Sequence, residues 1–127
     1  MEHCAWAPYL PVPYFVRAAD SLIERFRDKT IFGVTISASG FYGPQGRVLR
    51  IPLSDSEQNS KIEHFEYNGY KITNFEMESS AVAGMAKLLG HRAMTVCLVI
   101  ANRYAKEMNT DYHSLMEQLV IKVLDRI

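Results

Sequence analysis

The sequence predicts an α/β layered sheet, on two observations. Residues 30–38 and 93–101 are apolar, rich in β-branched side chains, and read as buried strands. Segments with helical spacing stand before, between and after them.

Taken in order, residues 1–16 hold Pro8, Pro11 and Pro13 among Trp6, Tyr9, Tyr14 and Phe15. Proline at that density denies the backbone its N–H donors and predicts an extended arm, whose aromatics must lie on something apolar, in this chain or another. Residues 18–28 follow as a short amphipathic helix with Leu22, Ile23 and Phe26 at helical spacing. The first strand, 30–38, runs into a loop of turn formers from Ser39 to Arg47. A helix is expected over 56–66, stopped by Asn68-Gly69, then a short strand at Lys71-Ile72-Thr73. A second helix is expected over 76–89, closed by Gly90. The second strand, 93–101, is expected beside the first, with Ile31, Val34, Ile36, Val96, Leu98 and Ile100 on the buried faces. A loop over 102–110 leads to an amphipathic helix, 111–126, with Leu115, Leu119, Val123 and the neighbouring Val120 and Leu124 on its apolar face.

Composition narrows the function. The chain has 127 residues, 48% of them hydrophobic, enough for one modest domain. Its 14 basic and 14 acidic residues cancel, which speaks against a nucleic-acid groove or an anionic membrane surface as partner. No apolar run approaches the roughly 20 residues a membrane span needs, and Met1 to Trp6 do not read as a secretory signal. Cys4 and Cys97 are far apart, and Cys97 lies in an apolar run; a buried free thiol in a reducing cytoplasm is expected rather than a disulfide. His3, His64, His91 and His113 lack metal-ligand spacing, so no metal site is expected.

Ligands of α/β sheets collect beyond the carboxyl ends of the strands. The loop after the first strand offers Gln45 and Arg47 beside Phe41 and Tyr42; the loop after the second offers Asn102 and Arg103; between them stands Phe75-Glu76-Met77-Glu78. Taken singly, Gln45 and Arg47 are ordinary surface-turn residues, and Glu76 and Glu78 ordinary favourable charges at a helix N-terminus. Together they suit a planar base on a sugar. An amide tip both donates and accepts, whereas arginine only donates. Uracil presents an N–H flanked by two carbonyl oxygens, which one glutamine and one arginine can cover. A carboxylate at Glu78 can accept from two adjacent ribose hydroxyls, with Met77 against the sugar face. Cleavage of the C–N glycosidic bond leaves negative charge on the departing base, where such donors count most.

These residues also carry a resemblance. Phe41-Tyr42-Gly43-Pro44-Gln45-Gly46-Arg47 is similar to the Phe-Tyr-x-x-Gln-x-Arg uracil-reading loop of uridine phosphorylases. The segment from Asn74 to Ala81 resembles the Asn-Tyr-Glu-Met-Glu-Ser-Ala segment of that nucleoside phosphorylase family, and Val99-Ile100-Ala101-Asn102-Arg103 its Val-Ile-x-Asn-Arg loop. The resemblance implies the C-terminal part of a three-layer α/β/α nucleoside phosphorylase sheet: a single partial domain over 1–127, with 1–16 an arm and 17–127 the base- and ribose-binding half.

It further implies Gln45, Arg47 and Glu78 as catalytic residues. Phe41, Gln45, Arg47, Phe75, Ile100 and Arg103 would surround the base, and Glu76, Met77 and Glu78 would hold the ribose, Glu76 being shared between ribose and support. Phe75 stands where the family usually has tyrosine. Asn102-Arg103 replaces the Ser-Asp-like acid of the purine enzymes, which argues against leaving-group protonation by an aspartate.

The family's Gly-Asp-Pro-x-Arg phosphate loop and its later Arg with a Gly-Thr/Ser-x-Gly turn do not occur in these 127 residues. Gly40, Gly43 and Gly46 lack the anchors of a phosphate cradle. The expectation is therefore a uridine phosphorylase fragment that does not turn over alone. Phosphate is the co-substrate, no cofactor is needed, and uridine, uracil, ribose 1-phosphate and a homo-oligomer are the partners. A non-catalytic remnant and a nucleoside hydrolase are the alternatives.

Overall fold

A computed structural model of the chain describes residues 8–102 and 105–127. Residues 8–19 form neither helix nor strand, as the prolines require. Two tyrosines tie this arm down: the Tyr9 hydroxyl donates to the Ser54 carbonyl at 2.7 Å, and the Tyr14 hydroxyl shares a 2.8 Å bond with Ser80 Oγ. Helix α1, Asp20–Phe26, follows, with Phe26 buried and its carbonyl taken by Thr30 Oγ1 at 2.9 Å.

Strand β1 is Val34–Ser37, shorter than its apolar run. It pairs in parallel with β3, Tyr70–Glu76, in a register that sets Ile36 against Phe75 and Ser37 against Glu76. Parallel neighbours need a long crossover. Residues 38–69 supply it: a 3₁₀ turn at Gly43–Gln45, helix α2 at Gln58–Glu63 and the short strand β2, Glu66–Tyr67. β2 and β3 form an antiparallel hairpin over Asn68-Gly69, both at positive φ (50° and 78°), the backbone a two-residue primed turn demands. The sheet order is β1-β3-β2.

Helix α3, Ser79–Leu88, ends as expected at Gly90, whose φ of 75° permits the C-terminal turn. A separate hairpin joins β4, Ala101–Asn102, to β5, Glu107–Met108. Helix α4, Tyr112–Leu124, half-buries Leu115, Leu119 and Val123, and the last two line a cleft with Phe26 and Val96, whereas Val120 and Leu124, expected on the same face, stay exposed. Arg126, just past α4, donates to the Arg25 carbonyl at 2.6 Å and to Asp28 at 3.0 Å, and Arg25 returns a bond to the Arg126 carbonyl at 2.8 Å. Helices and a mixed sheet thus make the α/β class that the sequence predicts.

Four expectations are corrected. The neighbour of β1 is β3, not 93–101: residues 91–100 form no ladder. Hydrophobicity marks both runs as sheet material, but pairing depends on backbone partners, which apolarity does not specify. The helix expected from residue 76 begins at Ser79, because Phe75 and Glu76 are held in the ladder by Ile36 and Ser37. The buried set also changes. Ile31 is 92% and Ile100 40% exposed, while Val34, Ile36, Val96 and Leu98 are half-buried, since an apolar strand is fully buried only where layers cover both its faces. Cys97 is exposed.

Candidate functional site

Because β1 and β3 are parallel neighbours, both carboxyl ends reach the same edge of the sheet, where ligands of α/β folds bind. The Ala38 N–H extends the ladder by one bond, to the Glu76 carbonyl at 2.8 Å. The chain then enters the loop that carries Phe41, Gln45 and Arg47.

That loop is folded rather than open. The N–H groups of Gln45 and Arg47 both donate to the Tyr42 carbonyl, at 3.1 and 2.9 Å, and Gly46 N–H donates to the Gly43 carbonyl at 2.8 Å. Gly46 has φ 73°, and a Cβ there would stand 1.8 Å from Asn59 Oδ1, so only glycine fits. Two amides of α2 hold the loop from outside: Gln58 Nε2 donates to the Pro44 carbonyl at 3.1 Å and Asn59 Nδ2 to the Gly46 carbonyl at 2.9 Å.

The side chains are ordered with it. Gln45 is only 6% exposed. Arg47 Nη1 donates to Gln45 Oε1 at 2.5 Å and to the Phe41 carbonyl, and its guanidinium lies 3.8 Å from the centroid of the Phe41 ring. Phe41 meets Tyr42 edge to face at 5.4 Å. Amide, guanidinium and aromatic face therefore form one unit, able to offer donors beside a flat apolar surface.

At the end of β3 the Glu76 carboxylate is already engaged. Oε1 accepts from Ser37 Oγ, and Oε2 accepts from the N–H groups of Glu78 at 2.8 Å and Ser79 at 2.6 Å. Burial pushes this carboxyl up, but the bonds from Ser37, Ser79 and the two backbone N–H groups outweigh it and hold it below the ordinary value. Met77 and Glu78 are exposed, and Glu78, the residue capping α3, makes no side-chain cap bond.

The structure thus brings Phe41, Gln45 and Arg47 together in one loop, and Phe75, Glu76, Met77 and Glu78 together at the end of the adjoining strand. Ile100 comes from outside the three-stranded sheet, on the run into β4, where its carbonyl accepts from Asn109 N–H at 2.8 Å. Arg103 lies outside the described residues. Residues that the sequence reading passed over include Ser37, Ser79, Gln58 and Asn59. A polar residue at the carboxyl end of a predicted strand was the available signal for Ser37; nothing local marks Gln58 or Asn59.

A sequence profile of the Phosphorylase superfamily matches residues 2–127, nearly the whole chain. The chain belongs to that superfamily. Among curated relatives, it is 34% identical over 92 residues to "Uridine phosphorylase" of Thermococcus kodakarensis, covering 72% of this chain and 31% of that protein. It is 33% identical over 92 residues to "Inactive uridine phosphorylase B" of Schistosoma mansoni, covering 70% of this chain and 31% of that one. The chain therefore spans about a third of the length of these curated relatives. Among solved structures it is similar to a Trypanosoma brucei nucleoside phosphorylase described as showing uridine phosphorylase activity. That match has a TM-score of 0.76 at 24% identity, over 87% of this chain and 42% of that one, and it shows the shared fold. Within this phosphorylase fold, the loop after β1 and the end of β3 are the elements that hold the polar groups described above.

Proposed function

We propose that this chain carries the base- and ribose-binding half of a uridine phosphorylase site. The observation that carries the reading is the buried Gln45 amide locked to Arg47 over the Phe41 ring, at the same sheet edge as Phe75 to Glu78. In this reading Gln45 and Arg47 read the uracil edge, and Phe41, Phe75, Ile100 and Arg103 surround the ring. Glu78 accepts from the ribose hydroxyls, Met77 packs on the sugar, and Glu76 is shared between ribose and support.

The reaction is displacement at the sugar. Phosphate oxygen bonds to C1′ while the C1′–N1 bond breaks, and the electron pair leaves with uracil, giving ribose 1-phosphate. Donors from Gln45 and Arg47 strengthen as charge builds on the uracil oxygens, which lowers the barrier rather than merely tightening substrate binding. No cofactor takes part. No residue of this chain is assigned to phosphate. A single partial domain, a cytoplasmic location and a homo-oligomer complete the proposal.

Calorimetric titration of the chain with uracil and uridine tests it, alongside an assay for phosphate-dependent uracil release. Weak binding of both ligands without release is expected, because an unpositioned nucleophile forfeits much of the acceleration. Absence of binding sinks the site; rapid phosphorolysis by the chain alone sinks the division of labour.

A further inference from the structure

Ser37 closes β1 and is the hub of a network of which the proposed reaction uses only Glu76. Its hydroxyl donates to Glu76 Oε1, its oxygen accepts the Ser80 N–H at 2.9 Å, and Ser79 Oγ lies 3.3 Å away. Glu76 Oε2 accepts the N–H groups of Glu78 and Ser79. The first N–H groups of a helix have no partner within it. Here those of Glu78, Ser79 and Ser80 all end on the Ser37–Glu76 pair, which belongs to two neighbouring strands. The carboxylate also meets the positive end of the α3 dipole.

We infer that Ser37 is a positioning residue for the ribose side of the site, fixing through Glu76 the backbone from which Glu78 is presented. The inference rests on the uridine-site reading, and deepens it by weighting the two carboxylates: Glu76, shared between ribose and support, accepts three bonds from the scaffold, while Glu78 makes no side-chain cap bond and takes the sugar hydroxyls. Removing the Ser37 hydroxyl takes one acceptor from Ser80 N–H and one donor from Glu76. The turn at 77–79 then loosens while the Gln45–Arg47 loop, held by α2, keeps its shape.

The test compares the wild-type chain with Ser37→Ala, Ser37→Thr and Glu76→Gln, by amide hydrogen exchange at Glu78, Ser79 and Ser80 and by titration with uracil and with uridine. Ser37→Ala should speed exchange at these amides and weaken uridine binding on the order of fivefold, the loss of about one hydrogen bond, with uracil affinity unchanged. Ser37→Thr should restore both. Glu76→Gln should release the Glu78 and Ser79 amides, and it carries the test if Ser37→Ala does not fold. A wild type that binds neither ligand overturns the uridine-site reading and this inference together. A wild type that binds both, with the variants weakening both equally or leaving the amides unchanged, overturns this inference alone.

Discussion

Arg47 spends its guanidinium inside its own loop: on the Gln45 amide oxygen, on the Phe41 carbonyl and across the Phe41 ring. Such a residue has a double effect when removed, because it both donates to a ligand and aims the neighbour that also donates. In a complete enzyme containing this half, Gln45→Ala and Arg47→Ala should each cost about 1–3 kcal/mol of transition-state binding, measured as the change in kcat/KM for uridine. Since they act as a unit, the double variant should cost less than the sum of the singles. Unchanged kinetics in Arg47→Ala would remove the uracil assignment.

At the scale of elements, the junction of β3 with α3 is the place where the site depends on the fold. Its cap is a carboxylate, so its strength depends on pH. The Glu76 carboxyl is held below its ordinary value of 4.5 in the folded chain. A group whose folded-state value is depressed contributes stability above its unfolded value and loses it as pH falls through the folded one. The urea midpoint should therefore decline as pH drops below about 4.5, and Glu76→Gln should flatten that decline while lowering the midpoint near neutrality. Parallel pH profiles in wild type and variant would show that the carboxylate is not the cap. At the other end of the chain, α4 is fastened to α1 by the reciprocal bonds of Arg25 and Arg126, beside the cleft that Phe26 shares with Leu119 and Val123.

The whole molecule exposes 9916 Å², against about 6,900 Å² for a compact monomer of its mass. The excess exceeds the roughly 1,200–2,000 Å² buried in a standard interface. Much of it is apolar: Val12, Tyr14 and Phe15 on the arm, Val82, Met85 and Leu88 on α3, and Val120, Ile121 and Leu124 on α4. Surface of this kind associates. Sedimentation at tens of micromolar (on the order of ordinary solution concentrations for such an assay) should show species heavier than a monomer, in proportions that shift with concentration. A monodisperse monomer would contradict it.

Local signals in the sequence were enough for the α/β class, for α1, α2, α3 and α4, for the Gly90 stop, and for the loop that joins Phe41, Gln45 and Arg47. Each depends on residues within a few positions of one another, where side-chain period and turn chemistry act. The Asn68-Gly69 pair was legible as punctuation, yet it turns a hairpin rather than only ending a helix. What the sequence left open was non-local. Glu76 is equally at home in a first helical turn and at a strand end, and the ladder to Ser37 decides between them. The two apolar runs look alike, yet β1 takes β3 as its partner. Tertiary structure alone set the burial of Gln45, the α2 amides on its loop and the Ser37–Glu76 link, because each depends on which backbone atoms meet across the sheet edge, and residue type does not encode that meeting locally.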